Sequence, residues 1–369
     1  MRRLRARPVI LRYARARRRA HVSVAAQPGR SMAIPTEMAL THSRFFTSPA
    51  AGEVIDCMRR ASKIYVTAHI IPDGDTIGSA LGLYWALVQL GKHVRVACAD
   101  PVPDSFTFLP GYDLIKPQKP SGDELIVMLD SSDLQRLGSL YEEALYRERP
   151  LINIDHHVTN LRFGTLNWIE PRAASTAEIV VEVAEALGAA INQHVAVCLL
   201  TGIATDTLAF RTANTTPELM ETVAQLMRAG APLNLIIERT FNTRELSDIK
   251  LQGMIFASLH VEDGLIWSDN TLAMRSLAGA GDAAGSGTGT ALLAARTANV
   301  SIIFVEKQPH RVEVSFRSRP GYDISPIAFA LGGGGHPQAA GCTLSMSLAE
   351  AHETVLPKVR ALLSTSAKP

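Results

Sequence analysis

The chain has 369 residues, 47% of them hydrophobic and 20% charged, ordinary values for a globular protein with length for two domains. No apolar run reaches the ~18–20 residues that span a bilayer, and the longest candidate, Val195–Ala204, is soon followed by Asp206. The formal net charge of +2 hides a division: residues 1–31 hold ten arginines and no acid, leaving 27 basic against 35 acidic side chains elsewhere, so the acidic body is a poor track for long duplex nucleic acid.

The chain opens on that basic arm, within an arginine-rich lead-in of residues 1–50 expected to be disordered. Three readings stay open: an organellar import peptide, a nucleic-acid-binding arm, or an upstream start with translation beginning at Met32 or Met38. The composition favours the third. No apolar segment follows of the kind a secretory signal needs. The four cysteines form no CxxC pair, which fits a reducing cytoplasm.

From Gly52 the spacing of Val54, Ile55, Met58 and Ala61 predicts an amphipathic helix. Lys63–His69 reads as a strand and Thr76–Leu90 as a helix stopped by Gly91. His93–Cys98, Leu125–Leu129 and Leu151–Ile154 read as strands. Ser175–Leu187 follows as a helix opened by a capping box; Asn192–Ala204 and Pro217–Ala229 read as further helices. Continuous apolar strands alternating with helices predict an α/β domain over 51–232, with a mostly parallel sheet covered on both faces.

Leu233–Leu259 reads as a helical connection. Beyond it, 260–369 predicts a smaller α/β domain across a cleft. There Ala278–Ala291 reads as a mobile Gly/Ala-rich loop, and Val300–Val305 and Arg311–Arg319 as neighbouring strands with a turn at Gln308–His310. Ile324–Leu331 reads as a short helix, Gly332–Gly335 as a glycine loop, and Leu348–Leu363 as the closing helix.

Acids and histidines gather where the first-domain strands end. Lys63–Ala68 runs into His69, Asp73 and Asp75; Leu125–Leu129 into Asp130; Leu151–Ile154 into Asp155, His156 and His157. The helix from Asn192 runs into Asp206. In an open parallel sheet these ends share one edge, where ligands bind. One acid at a strand end is most often a cap or turn residue. The whole set, strand after strand, is not explained by turns. Clustered carboxylates repel and retain protons unless cations neutralise them. Imidazoles with carboxylates suit a borderline-hard divalent ion, Mn²⁺ more than Ca²⁺, and the ligands are about enough for two ions.

The stretches HIIPDGDTIGS (His69–Ser79), VMLDSSD (Val127–Asp133), IDHH (Ile154–His157) and IATDT (Ile203–Thr207) resemble the four motifs of the DHH phosphoesterase family. SFRSR (Ser315–Arg319) and GGGGHPQAAG (Gly332–Gly341) resemble its DHHA1 domain. The resemblance covers roughly residues 50–365 and is greatest to the bifunctional oligoribonuclease and pAp phosphatase type, pAp being adenosine 3′,5′-bisphosphate.

The resemblance implies a hydrolase with two divalent metal ions, Mn²⁺ foremost with Mg²⁺ or Co²⁺ as substitutes. His69 and Asp73 would hold one ion, and Asp75, His156 and Asp206 the second; Asp130 would bridge them. His157 would contact the phosphate as stabiliser or proton donor, and Asp155 would orient a histidine by hydrogen bond. In the second domain Arg317, Arg319, Gly333, Gly334, Gly335 and His336 would grip the nucleotide. Substrates would be short RNA oligonucleotides of about 2–5 nucleotides and pAp, with no membrane partner and a homodimer left open. Alternatives are a cyclic- or linear-dinucleotide phosphodiesterase, a RecJ-like single-strand exonuclease, a family II pyrophosphatase and an inactive nucleotide-binding regulator. GGGGH argues against the pyrophosphatase, and nothing like an added nucleic-acid platform favours the exonuclease.

Overall fold

The computed structural model describes residues 44–45, 49–147, 149–281, 285 and 287–366. The basic arm lies outside the described residues, as does part of the Gly/Ala-rich stretch. Helix α1 (Pro49–Arg60) turns Val54, Ile55 and Met58 inward, as their spacing predicts. There follow β1 (Lys63–Thr67), α2 (Gly74–Gln89), β2 (His93–Ala97), β3 (Leu125–Leu129), the short α3 (Glu143–Tyr146) and β4 (Leu151–Asp155). Then come β5 (Leu166–Ile169), α4 (Thr176–Leu187), α5 (Gln193–Asp206) and α6 (Pro217–Arg228). Strand β5 was not expected from the sequence: four residues carry too little periodicity to stand out.

The five strands form one parallel sheet in the order β2-β1-β3-β4-β5. Alternate side chains feed two cores, as the period of a strand requires. Ile64, Val66, Val127, Leu129, Ile152 and Ile154 bury with Leu81, Ile179 and Leu199 of the covering helices. Tyr65, Ile126, Met128 and Leu151 bury on the other face with Leu137, Leu140 and Tyr146. Truncating such a leucine to alanine typically costs ~2–5 kcal/mol. Register keeps the carboxyl ends level: Thr67 lies beside Met128, and Leu129 beside Ile154. The acids that follow therefore meet along one edge.

The connecting segment is not one helix. Helix α7 (Leu233–Ile237) passes into a π-type turn at Glu238–Asn242; the chain breaks at Thr243, whose backbone is extended, and α8 (Leu246–Ala257) restarts beyond it. Ile236 packs in the first core, whereas Leu251 and Ile255 pack against the second sheet with Ile266 and Ile303. The segment is thus divided between two bodies of apolar packing.

The second half comprises β6 (His260–Glu262), β7 (Leu265–Asn270), α9 (Leu272–Ala278), α10 (Thr288–Leu292), β8 (Val300–Gln308) and β9 (Arg311–Ser318). It closes with α11 (Ser325–Ala330), β10 (Gly334–His336), β11 (Ala339–Leu344) and α12 (Leu348–Ser366). Its sheet runs β10-β11-β9-β8-β7-β6, antiparallel except for β7 beside β8. The stretch expected to be a loop from Ala278 to Ala291 is helical at its described end, because α10 packs Leu292 into a core. The glycine segment continues into an edge strand. Among the described residues no helix is long and apolar enough to cross a membrane.

Candidate metal centre

His69 follows β1 and is buried. Its Nδ1 lies 2.6 Å from the Ile70 carbonyl. A carbonyl only accepts, so in the tautomer that satisfies it Nδ1 carries the proton and Nε2 keeps its lone pair. Nε2 meets the Thr76 hydroxyl at 2.6 Å. The same hydroxyl lies 3.0 Å from Asp73 Oδ1 and 2.7 Å from Asp130 Oδ2. One hydroxyl proton cannot serve three acceptors.

Asp73 caps α2, its Oδ1 accepting the backbone N–H of Asp75 and Thr76 at 3.0 Å each. Asp75 points the other way and is buried. The opening N–H groups of α4 hold both its oxygens: Thr176 donates to Oδ2 at 2.7 Å and Ala177 to Oδ1 at 2.9 Å. Helix α4 is set up for this contact by its own cap, Ser175 Oγ accepting from the Glu178 N–H at 3.2 Å.

Asp130 stands between the two groups. It leaves β3 with φ of 56°, a left-handed conformation that costs a non-glycine residue about 1–2 kcal/mol. Such strain persists where surrounding structure enforces it, often at functional sites; here the Asp130 N–H is tied to the Ile154 carbonyl at 3.0 Å. Its Oδ2 faces Thr76 and His69 Nε2, the latter at 3.5 Å. Its Oδ1 faces the Thr176 hydroxyl at 3.2 Å and His156 Nε2 at 3.8 Å. His156 Nε2 also lies 3.4 Å from Asp206 Oδ2 at the end of α5. Two sets of ligand atoms result, His69–Asp73–Asp130 and Asp75–His156–Asp206, each within 4.8 Å of one another.

Asp155 belongs to a third such grouping with Asp130, His156 and His157, but its carboxylate is already occupied. Oδ1 accepts the His156 N–H at 2.8 Å, the His157 N–H at 3.2 Å and His157 Nδ1–H at 2.7 Å, while Oδ2 accepts from Asn160 at 2.6 Å. It anchors the turn and orients His157. Both histidines stand 3.8 Å from Asp130 Oδ1, but they part company beyond it: His156 Nε2 lies 3.4 Å from Asp206 and His157 Nδ1 2.7 Å from Asp155.

Electrostatics match this packing. Burial, reinforced by the charges of Asp130, Asp206 and Asp73, holds the Asp75 carboxyl well above its usual range. Burial and the carboxylates of Asp130 and Asp73 push Asp206 up to about 6 against the pull of His156 and His157. Asp130 moves the opposite way, because the surrounding imidazoles outweigh its burial. Burial opposes charge on His157, yet the Asp155 hydrogen bond and the charges of Asp155, Asp130 and Asp206 carry it up to about 9. Oxygen and imidazole donors that crowd together and compete for protons fit divalent cations.

The second-domain residues are less tightly gathered. Arg317 is half-buried, its Nη1 donating to the Phe316 carbonyl at 2.7 Å and meeting Ser315 Oγ at 3.3 Å. No carboxylate pairs with it among the described residues. Arg319 departs from expectation: three carbonyls take its guanidinium, Ala298 at 2.6 Å, Leu293 at 2.9 Å and Ala295 at 3.2 Å. It braces the loop into β8. The glycines divide too. A Cβ on Gly333 would lie 2.1 Å from the Gly341 carbonyl, and one on Gly335, at φ of 139°, 2.5 Å from the Ala339 carbonyl. Both are required by the approach of β11, so ligand access is not their reason. Gly334 and His336 are exposed, and a Cβ on Gly334 would meet nothing.

Sequence reasoning missed Thr76, Thr176 and Asn160. Thr76 and Thr176 each follow or open a helix already found, so their neighbours were a usable signal; Asn160 had none.

Fold and site together define an α/β protein with an acid–imidazole centre at the carboxyl edge of a parallel sheet. Residues 63–203 match the DHH family, N-terminal domain, and residues 278–365 match the DHHA1 domain. The bifunctional oligoribonuclease and PAP phosphatase NrnA of Thermus thermophilus is 38% identical over 301 residues, 80% of this chain and 89% of its own. The NrnA of Bacillus subtilis is 25% identical over 79% of this chain and 92% of its own. An exopolyphosphatase-related protein of Bacteroides fragilis, of solved structure, shares the fold with a TM-score of 0.80 at 24% identity, covering 86% of this chain and 98% of that one. The chain belongs to the DHH–DHHA1 family of phosphoesterases.

Proposed function

We propose that the chain is a divalent-metal-dependent phosphoesterase that trims oligoribonucleotides of about 2–5 nucleotides to mononucleotides and removes the 3′-phosphate of pAp. One observation carries the reading: at a single sheet edge Asp130 completes one acid–imidazole cluster with His69 and Asp73 and turns its other oxygen toward His156 of a second, Asp75–His156–Asp206, 3.8 Å away. The names of the similar NrnA proteins support the substrates.

In this reading His69, Asp73 and Asp130 hold one cation and Asp75, Asp130, His156 and Asp206 the other. Bound Mn²⁺, or Mg²⁺ or Co²⁺ in its place, supplies Lewis acidity and lowers the pKa of a bound water. The N–H groups of α4 fix Asp75, and Thr76 and Thr176 steady the two oxygens of Asp130. Asp155 fixes the Nδ1 proton of His157, which leaves Nε2 to stabilise a phosphoryl oxygen or to protonate the leaving oxygen. Arg317, Gly334 and His336 take the nucleotide; Arg319, Gly333 and Gly335 keep that wall in shape. The domain division is part of the proposal, with 51–232 catalytic, 233–259 connecting and 260–369 binding substrate in a cytoplasmic setting.

The test is a panel with added Mn²⁺: di- to pentaribonucleotides, a long single strand, pAp, and cyclic di-AMP beside its linear dinucleotide. Rapid turnover of the short RNAs and pAp is expected, with the cyclic and long substrates slow. Inertness toward both short RNA and pAp would falsify the reading.

A further inference from the structure

We infer that Arg136 is a phosphate-binding residue of this site; the inference rests on the phosphoesterase reading and adds a substrate contact to it. Arg136 is half-buried in the 3₁₀ turn Leu134–Leu140, which follows Asp130 by a few residues. Its Nη2 lies 2.9 Å from His69 Nδ1. With a cation on Nε2, as the phosphoesterase reading has it, Nδ1 carries the ring proton and donates it to the Ile70 carbonyl at 2.6 Å, so it has no lone pair to accept from a guanidinium. The closest polar group to Nη2 is therefore no acceptor, and no carboxylate pairs with Arg136 among the described residues.

Arg136 is not drifting there. Its carbonyl accepts the Ile70 N–H at 2.7 Å, and its own N–H donates to Asp133 Oδ1 at 3.2 Å. Gly138, at φ of 57°, lets the turn close on this spot: a Cβ there would lie 2.4 Å from Ile70 Cγ2. The fold thus mounts a permanent cation beside a ligand of the first cluster. With a divalent ion on His69 Nε2, two positive charges would face each other across one imidazole. Their mutual repulsion is offset when an anion bridges them, and a guanidinium matches phosphate oxygens in a bidentate fork. A phosphoryl group of the substrate is the anion that this chemistry selects.

Three measurements on the full chain decide it: dinucleotide kinetics, inorganic phosphate binding to Mn²⁺-loaded protein, and Mn²⁺ affinity. Arg136→Ala should raise KM and weaken phosphate binding by roughly tenfold or more, as loss of a charged hydrogen bond does. Arg136→Lys should recover part of both, and Mn²⁺ affinity should stay within about twofold of wild type for either variant. Unchanged KM and phosphate affinity in Arg136→Ala would overturn the inference. So would a parallel fall in Mn²⁺ affinity, which would make Arg136 a support for His69. Should the wild type itself fail on short RNA and pAp, the phosphoesterase reading falls, while phosphate binding still decides Arg136.

Discussion

The carboxyl edge of the first sheet and the glycine edge of the second are built on opposite terms. At the first, functional atoms are buried and held: Asp75 by two helix N–H groups, Asp155 by four donors, Asp130 by a strained backbone tied to β4. At the second, the exposed strand β10 carries the candidate ligands, and much of the local sequence serves the sheet itself. Under the proposed function the first edge would need fixed charges and hence preorganised residues, and a wall that receives varied nucleotides would need shape more than fixed charge. Substitutions at the first edge should therefore damage turnover with the fold intact, and those at the second should damage stability or KM.

The largest effect is expected at Asp130. Asp130→Ala removes the carboxylate that faces both clusters, one oxygen toward His69 and the other toward His156, and should lower kcat/KM by about 10³-fold or more, worth ~4 kcal/mol of transition-state stabilisation. Circular dichroism and Tm should show a folded protein, since the removed side chain faces polar groups and the left-handed strain eases little. A variant that kept activity near wild type would break the contrast at its root.

Next come the two histidines. His156→Ala should weaken Mn²⁺ binding, read by titration, together with turnover. His157→Ala should leave Mn²⁺ binding near wild type and still lose turnover. Asp155→Asn tests the same division from behind: it keeps the shape, loses the charge on His157 Nδ1, and should lower kcat ~10–100-fold. Equal loss of metal in the two histidine variants would merge the roles separated here.

How much was legible beforehand follows the same division. Apolar runs that stop abruptly at Asp130 and Asp155 announce an edge when they are taken together, because turns explain one acid at a strand end but not the whole set. Their convergence then follows from parallel topology. Arg136 could not be found so, since its meaning lies in a contact to His69, remote in sequence. In the second domain, alternation along β9 correctly separated Val312, Val314 and Phe316 from Arg317 and Arg319. Alternation reports a face, not a partner, so it could not tell half-buried Arg317 from Arg319, which braces carbonyls. Strand β11, spelled AAGCTL, holds a single β-branched residue, Thr343, and so the reason for Gly333 and Gly335 stayed hidden.

The glycines sharpen the contrast from the other side. Gly333→Ala drives a methyl against the Gly341 carbonyl and Cys342, and such overpacking costs typically ~1–3 kcal/mol. Tm should fall, while the Mn²⁺ affinity of the first sheet holds. Gly334→Ala has open space and should leave Tm nearly unchanged, so any rise in KM would report ligand contact. If both variants fell equally in Tm, the second edge would be packed throughout and Gly334 would lose its assigned role.

The smallest effect lies away from both edges and tests whether the first sheet's rigidity is local. Glu124 precedes β3 and is buried; Arg95 of β2 grips it twice, at 2.7 and 2.6 Å. Burial alone would raise the Glu124 carboxyl, but the Arg95 bonds and the Ser121 N–H outweigh it and hold it below its usual range. A depressed folded pKa means stability that is present above the unfolded value and is lost as pH falls through the folded one. Glu124→Gln should therefore lower the unfolding free energy at pH 7 by an amount on the order of 1–3 kcal/mol, read as a lower Tm, and the two proteins should converge as pH drops below about 4. Turnover with saturating metal should not change, because Glu124 sits at the amino end of β3 and the chemistry sits at the carboxyl end. A matching loss of kcat at pH 7 would mean that the ends of this strand are coupled, and the metal edge would then depend on the whole sheet.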